Sequence, residues 1–452
     1  MRPPRSRHGS CEASRLMHRA GFVLVLALLR CSPVLGEEAP ALNLAALPTP
    51  DALAELLWNR SPDLSQVRTR LGAAQADVRR SLVLPNPNLD LSWNTIPVGT
   101  SNPAGLDDPL THVPNYAVSL SSLVEIAKRG PRQRAARNGF TAVELDASEL
   151  LREHYFDLLD RIAEVAAAEV RVGALSDLAA DAARLKDIQG ERAKRGDAAG
   201  LDVDRARLEE EKFVANLADE RRKLAQALLE CSRLVGVPCE PFADRDRAAG
   251  FLSERQAIPA ATGDVDERPD LRALSAQAES ARASLELAHN KRIPDPTLRA
   301  GYVYDQFVAA GNQRNSFLLG VSVPLPVFDR GQGDAIEAAA NLQVANRTRA
   351  LLRAQATRDA SQLASQSADV EKQRGVLRDR SIPLARSLVR TLDSAVQRGG
   401  SSLQDLLLAR RTLGELLLDS ADLDLQAFQI SSASARNAAA GPPLPRALGS
   451  SS

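Results

Sequence analysis

The chain has 452 residues, 44% of them hydrophobic but only 4% aromatic, which excludes wholesale disorder and points to alanine- and leucine-rich helices packed side by side rather than a bulky globular core. Lys+Arg and Asp+Glu both number 57, so the net charge is zero, no basic tract faces phosphate, and nucleic acid is excluded as a partner. His8, His18, His112, His154 and His289 stand without metal-ligand spacing, and no nucleophile-base pair, phosphate loop or Cys/His cluster is usably spaced, so the reading assigns no catalytic residue, no metal site and no cofactor.

The N-terminus is basic through Arg2, Arg5, Arg7, Arg15 and Arg19, runs apolar from Gly21 to Leu29, and reaches Val34-Leu35-Gly36 before Glu37. Residues 1–36 read as an export signal cut after Gly36, with an apolar run too short to span a bilayer. Met17 is an alternative start, because the basic, apolar and cleavage regions all follow it. Acylation of Cys31 is the competing reading, weakened by Arg30 where a small residue is wanted.

The rest of the chain repeats itself. Ser61-Pro62-Asp63-Leu64 recurs as Arg268-Pro269-Asp270-Leu271, and Pro85-Asn86-Pro87-Asn88-Leu89 as Pro294-Asp295-Pro296-Thr297-Leu298. Val118-Ser119-Leu120 before Lys128-Arg129-Gly130 recurs as Val321-Ser322-Val323 before Asp329-Arg330-Gly331. Arg195-Gly196, Asp202 and Ala206-Arg207 recur as Arg398-Gly399, Asp405 and Ala409-Arg410. These anchors keep their order and near-constant spacing, so residues 37–245 and 246–436 read as two copies of one unit, with 437–452 a disordered tail.

Each copy reads as a helix, a proline-marked turn, two strands, a very long helix, a glycine turn and a returning helix. The strands are expected at Leu89 to Ile96, Tyr116 to Leu123, Leu298 to Gln306 and Ser316 to Pro324. Leu298, Ala300, Tyr302 and Tyr304 alternate onto one face, as do Phe317, Leu319, Val321 and Val323. The long helices are expected from Pro131 to Gln189 and from Gly333 to Gln397, with a kink at Pro383. About 59 residues at ~1.5 Å each make a rod of roughly 90 Å. Leu151, Tyr155, Leu158, Ile162 and Val165 step by four and three like a coiled-coil seam, and the chain returns along Ala198 to Val235 and Ser401 to Ala435. Toward the end of the first copy lie Cys231 and Cys239; a local disulfide and two unpaired buried thiols at a helix end are both open readings.

Four strands with one apolar face cannot close a barrel, and an open sheet in lipid leaves its edge N–H and C=O groups unpaired at several kcal/mol each. Pooling strands from several identical chains removes those edges. The internal repeat, the paired Pro-x-Pro strand starts, the stretch from Val321 to Gly333 and the turn at Gly399 resemble the outer membrane efflux protein (TolC) family. The stretch from Ile293 to Gly333 most resembles the branch serving cobalt-zinc-cadmium or copper-silver pumps of the resistance-nodulation-division (RND) type. The resemblance spans about Leu53 to Ala435. It implies a mainly α protomer with a small transmembrane β part, a homotrimer with a twelve-strand barrel and a periplasmic helical tunnel. It further implies a place in outer-membrane lipid, a periplasmic adaptor and inner-membrane RND pump as partners, and no catalysis of its own.

The resemblance also assigns sites. Asp405, and its repeat partner Asp202, fall where an acidic ring would narrow the periplasmic entrance; the plainer reading is an aspartate at a helix start. Arg195, Gly196, Arg398, Gly399 and Leu403 fall at the hairpin turns, where turn geometry, packing and adaptor docking compete as roles. Trp93, Tyr302 and Tyr304 suit an aromatic belt at the lipid boundary or plain barrel packing. Because a pump chooses the cargo, a duct for type I secretion or multidrug export stays open. A periplasmic coiled-coil scaffold is the rival from another class and requires no membrane-embedded strand.

Overall fold

A computed structural model describes residues 41–98, 108–255, 257–259, 263–308, 313–398 and 400–445. The expected export signal with Cys31, the turn residue Gly399 and the tail from 446 lie outside the described residues. In chain order the elements are β1 (Leu42–Asn43), α1 (Pro50–Arg60), α2 (Pro62–Leu82), β2 (Asn88–Asn94), the single turn α3 (Pro109–His112), β3 (Asn115–Leu123), α4 (Arg129–Lys194), α5 (Gly200–Val235), β4 (Cys239–Glu240) and α6 (Arg245–Glu254). There follow α7 (Pro269–Asn290), β5 (Thr297–Asp305), β6 (Asn315–Ser322), α8 (Gln332–Val376), α9 (Ile382–Gln397) and α10 (Leu403–Asn437).

The helices start where local chemistry tells them to. The Thr49 hydroxyl accepts the Ala52 N–H ahead of Pro50, and α2 and α7 both begin with Pro-Asp-Leu, whose proline lacks an N–H the helix start cannot use. Helix α4 runs 66 residues, about 100 Å at ~1.5 Å per residue. Helix α8, of 45 residues, passes through a five-residue π-helical turn at Leu377–Ser381 into α9, of 16 residues. The kink expected at Pro383 takes this form. Proline cannot donate to the carbonyl four residues back, and the preceding turn widens so that the Ile382 N–H reaches the Leu377 carbonyl instead.

The predicted seam is the core. Leu151, Tyr155, Leu158, Ile162 and Val165 are fully buried, along with Ala163, Ala166 and Ala167. Their partners come from more than a two-helix seam, because α4 packs against α2, α5, α6, α7 and α10. Helix α6 and the strap from Cys239 to Glu254 have no counterpart in the sequence reading. The strap is held by the Cys231–Cys239 disulfide, by the two-residue parallel pairing of β1 with β4, and by the Phe242–Phe251–Phe428 ring contacts at 5.5 and 5.1 Å.

The start of the expected disordered tail needs correction. Asn437 closes α10, its amide donating to the Ala356 carbonyl at 2.8 Å, and Pro442 is buried. Arg152 draws this stretch in: 2% exposed, it donates to the Arg436 carbonyl and, at 3.4 Å, to the Ala440 carbonyl while pairing with Glu149. A buried guanidinium needs carbonyl acceptors, and the stretch after α10 supplies them.

Candidate functional site

The remaining strands form one antiparallel sheet in the order β2-β3-β5-β6. Register fixes what each face carries. Leu91 pairs with Val118, Val118 with Tyr302 and Tyr302 with Phe317; Leu89, Leu120, Ala300 and Leu319 form the next row, and Trp93, Tyr116 and Tyr304 the row before. This face is apolar and uncovered: Leu91 is 71%, Phe317 87% and Leu319 83% exposed. The opposite face is the more polar one, carrying Asp90, Ser92, Ser119, Ser121, Arg299 and Gly301 together with Ala117, Val303 and Leu318; Asp90 accepts from Ser121 at 3.1 Å and lies 3.3 Å from the Arg299 guanidinium. The outer edges of β2 and β6 have no strand partner among the described residues.

Trp93, Tyr302 and Tyr304 all sit on the apolar face, toward the sheet end distant from the long helices. Trp93 stacks on Tyr116 with ring centroids 6.3 Å apart. Tyr302 meets Phe317 edge-on at 6.1 Å and donates its hydroxyl to Asn315 at 2.6 Å.

At the far ends of the long helices the two hairpins meet. Gly196 takes φ +83°, a conformation a side chain resists, and its N–H reaches the Ala193 carbonyl; Arg195 beside it is exposed. Arg398, also exposed, reaches Ser394 at 3.2 Å. Leu403 is buried with Leu185, Val396, Leu406 and Leu407, and Leu185 belongs to α4, so this cluster joins the two hairpins. Asp405 is exposed at the first turn of α10, where the Ser402 hydroxyl accepts its N–H at 3.1 Å and donates to its carboxylate at 2.6 Å. Asp202 lies in the first turn of α5, 3.3 Å from the Arg205 guanidinium. Each aspartate is thus engaged within its own helix start.

Polar ties between the hairpins were missed by sequence reasoning. Arg410 donates to the Asp181 carbonyl at 2.9 Å and, within its own hairpin, to Asp393 at 3.2 Å; Arg411 pairs with Glu209 at 2.8 Å, and the Arg192 guanidinium reaches the Val396 carbonyl at 3.2 Å. Higher up, Arg171 pairs with Asp422 at 2.5 Å and Arg436 with Asp157 at 2.9 Å. Helical spacing gives no sign of partners on other helices; the repeat match at Ala409-Arg410 was the one available hint.

A charged cavity of about 520 Å³ lies among α4, α8 and α10, lined by Glu149, Arg152, Glu153, Asp160, Arg268 and Arg436 among others. Burial pushes the Asp160 carboxyl up to about 6 despite Arg436 beside it. Burial likewise pushes Glu169 up to about 7, against the opposing effect of the Phe242 N–H it accepts at 2.8 Å. Cys231 and Cys239 are joined, with Cα atoms 6.1 Å apart. Among the described residues no group of three or more His, Cys, Asp or Glu side chains could hold a metal ion, and no helix is long and apolar enough to cross a membrane.

No protein-family model matches the chain. The cobalt-zinc-cadmium resistance protein CzcC of Cupriavidus metallidurans is 23% identical over 366 residues, covering 81% of this chain and 84% of its own. Among solved structures, CusC, described with its transmembrane channel formation, superposes with a TM-score of 0.70 at 15% identity over 86% of this chain and 91% of its own. The outer membrane protein VceC of Vibrio cholerae superposes with a TM-score of 0.68 at 19% identity over 86% and 96%. The expected fold is therefore met: a mainly helical chain with a small four-strand sheet, folded as the outer-membrane channels are.

Proposed function

We propose that three copies of this chain, built from repeats at 37–245 and 246–436, pool their sheets into a twelve-strand barrel in the outer membrane, above a tunnel of helical hairpins in the periplasm. The duct is passive and exports solutes, heavy-metal cations by its likeness to CzcC, delivered by an inner-membrane RND pump and a periplasmic adaptor. One observation carries the reading: the four-strand sheet keeps an apolar face in the open and, among the described residues, both edges unpaired. In water that face invites aggregation and in lipid those edges are costly, whereas a closed ring of sheets satisfies both faces and every edge.

The polar face, with Asp90, Arg299 and the serines, becomes the lining of a water-filled pore. At the periplasmic end, Asp405 from three copies forms an acidic ring that attracts cations, with Asp202 contributing beside it, while exposed Arg195 and Arg398 at the Gly196 and Gly399 turns meet the adaptor. Trp93, Tyr302 and Tyr304 mark the outer lipid boundary.

The reading is tested by fractionation, native mass and metal tolerance in one deletion strain. It expects the protein in the outer membrane at three times the mass of the mature chain, and cobalt, zinc or cadmium tolerance that falls on deletion and returns with the gene. A detergent-free monomer sinks the channel; unchanged tolerance to every metal removes the cargo assignment and leaves the duct.

A further inference from the structure

The polypeptide passes between helix and sheet four times, at residues 82–88, 123–129, 290–297 and 322–332, all at the same end of the sheet. In the first repeat two cations beside this junction are paired with acids, and Arg129 donates to the Leu82 carbonyl at 3.3 Å. Lys128 lies 2.7 Å from Asp295 with both side chains largely buried, and Arg132 forks onto Glu125. In the second repeat Lys291 is paired with Asp334, but two arginines are left over. Arg292 and Arg330 are exposed, make no ion pair among the described residues, and together with His289 line a cleft of about 720 Å³. Its other walls are Pro326, Val327, Phe328, Gly331, Gln332 and Ala335, so no carboxylate lines it. The acids of this crossing are committed elsewhere: Asp329 accepts the Gly331 N–H at 2.9 Å and Asp334 holds Lys291.

The cleft is also strongly apolar on one side. Phe328 is 93%, Leu325 76% and Val327 57% exposed, and with Val323 they extend in sequence the apolar stripe of Phe317, Leu319 and Val321 down to the basic residues. Gly331 fixes the geometry: its φ is +77° and a Cβ there would stand 2.3 Å from the Ala288 carbonyl, so the turn is pressed against the end of α7 that carries His289.

Three cationic or proton-donating groups without carboxylates, at the foot of an uncovered apolar stripe, match an anionic amphiphile. We propose that this cleft binds the headgroup phosphodiester of an anionic glycerophospholipid in the periplasm-facing leaflet. Arg292 and Arg330 fork onto the phosphate oxygens, while Leu325 and Phe328 lie along the glycerol and upper acyl chain. The inference rests on the barrel reading above, which puts this end of the sheet at that leaflet. A second copy of the chain is the less fitting occupant, since it would have to bring carboxylates to a cleft that has none, whereas a leaflet supplies phosphate in continuity with the apolar face.

The test uses the full chain, inserted into vesicles of equal phosphatidylglycerol and phosphatidylcholine, re-extracted in mild detergent, with retained lipid measured by mass spectrometry. Wild type is expected to enrich phosphatidylglycerol on the order of tenfold, as two guanidiniums facing anionic headgroups would give. The Arg292→Gln/Arg330→Gln double variant loses that enrichment, and Arg79→Gln, exposed on α2 and outside the cleft, keeps it. Because both cleft arginines are exposed and unpaired, the double variant folds as wild type does. Equal enrichment in wild type and double variant overturns the proposal. So does displacement of the lipid by millimolar inorganic phosphate, which marks a free-anion site, or a double variant that falls to monomers with its lipid retained, which marks a subunit contact. Failure of wild type to insert into any vesicle overturns the barrel reading and this inference with it, whereas insertion without enrichment overturns this inference alone.

Discussion

The two faces of the sheet can be told apart by two neighbouring residues in the middle of β6. Leu319 lies on the apolar face, 83% exposed, paired across to Ala300; Gly320 follows it on the polar face, where an added Cβ meets nothing within 4 Å. An arginine at Leu319 would face hydrocarbon near the middle of the strand, at a cost of roughly 2–4 kcal/mol per copy, or about 6–12 kcal/mol for three copies acting together. An arginine at Gly320 enters the pore lining without a steric penalty and replaces a residue that weakens strands, so its cost stays within about 1 kcal/mol. The assay is folding from urea into phospholipid vesicles, scored by the yield of oligomer that resists dissociation in cold detergent. Leu319→Arg is expected to lose most of that yield and Gly320→Arg to keep it. A soluble scaffold would show little difference between the two, and the reverse order would mean that the faces have been assigned backwards; either result refutes the reasoning.

Arg152→Ala leaves Glu149 buried without its partner and is expected to cost about 3–5 kcal/mol in chemical unfolding, while an Arg152→Met/Glu149→Leu pair recovers most of it. Arg410→Ala combined with Arg411→Ala removes two ties between the hairpins, and one within the second, and is expected to raise single-channel conductance in planar bilayers without lowering oligomer yield; unchanged conductance would show that these contacts do not hold the tip closed. Glu169 and Asp160 have carboxyls raised to about 7 and about 6, above their ordinary 4.5 and 3.8, so between those values the folded chain holds more protons than the unfolded one. Stability therefore falls as pH rises through that window, and Glu169→Gln should flatten the upper part of a plot of thermal midpoint against pH; a plot unaltered by the substitution would count against the assignment. Reduction, or Cys231→Ser/Cys239→Ser, opens a short loop and is expected to cost about 2–3 kcal/mol of stability, measured under matched denaturant conditions.

What could be seen in the sequence was whatever repeats or alternates. Leu298, Ala300, Tyr302 and Tyr304 are apolar at every second position, and nothing competes with that pattern as a strand, so the sheet and its face were legible before any coordinate. The long helices were legible for the same reason: Leu151 to Val165 step at helical spacing through an alanine-rich run with no proline inside it. The strap at Cys239 to Glu254 was not. Its hold on α4 depends on single contacts such as Glu169 with the Phe242 N–H and Arg245 with Asp177 at 2.7 Å, which join positions about seventy residues apart without a periodic signature. The tip was half legible: Gly196 and Asp405 announced a turn and a helix start, but the burial of Leu403 against Leu185 of the other hairpin depends on packing that no local pattern encodes.

The two long helical runs also differ in a way that bears on assembly. Helix α4 buries nearly every residue of its apolar run from Leu151 to Ala168, because helices surround it. Helix α8 buries only Ala338, Ala345, Ala356 and Val370, and leaves Ile336, Val344 and Leu351 at 73%, 62% and 71% exposure. Those three residues step by eight and seven, so they fall within one narrow sector of the helix and form a stripe rather than scattered exposure. A chain whose first long helix is wrapped and whose second is bare on one side has the asymmetry that a ring requires. The bare α8 of one protomer needs a neighbour, and the open edge of β6 ahead of it needs a strand. Both needs arise on consecutive elements, and one rotation about a common axis can answer both. A soluble scaffold could cover α8 by pairing helices, but that would leave the exposed apolar face of Phe317, Leu319 and Val321 unexplained.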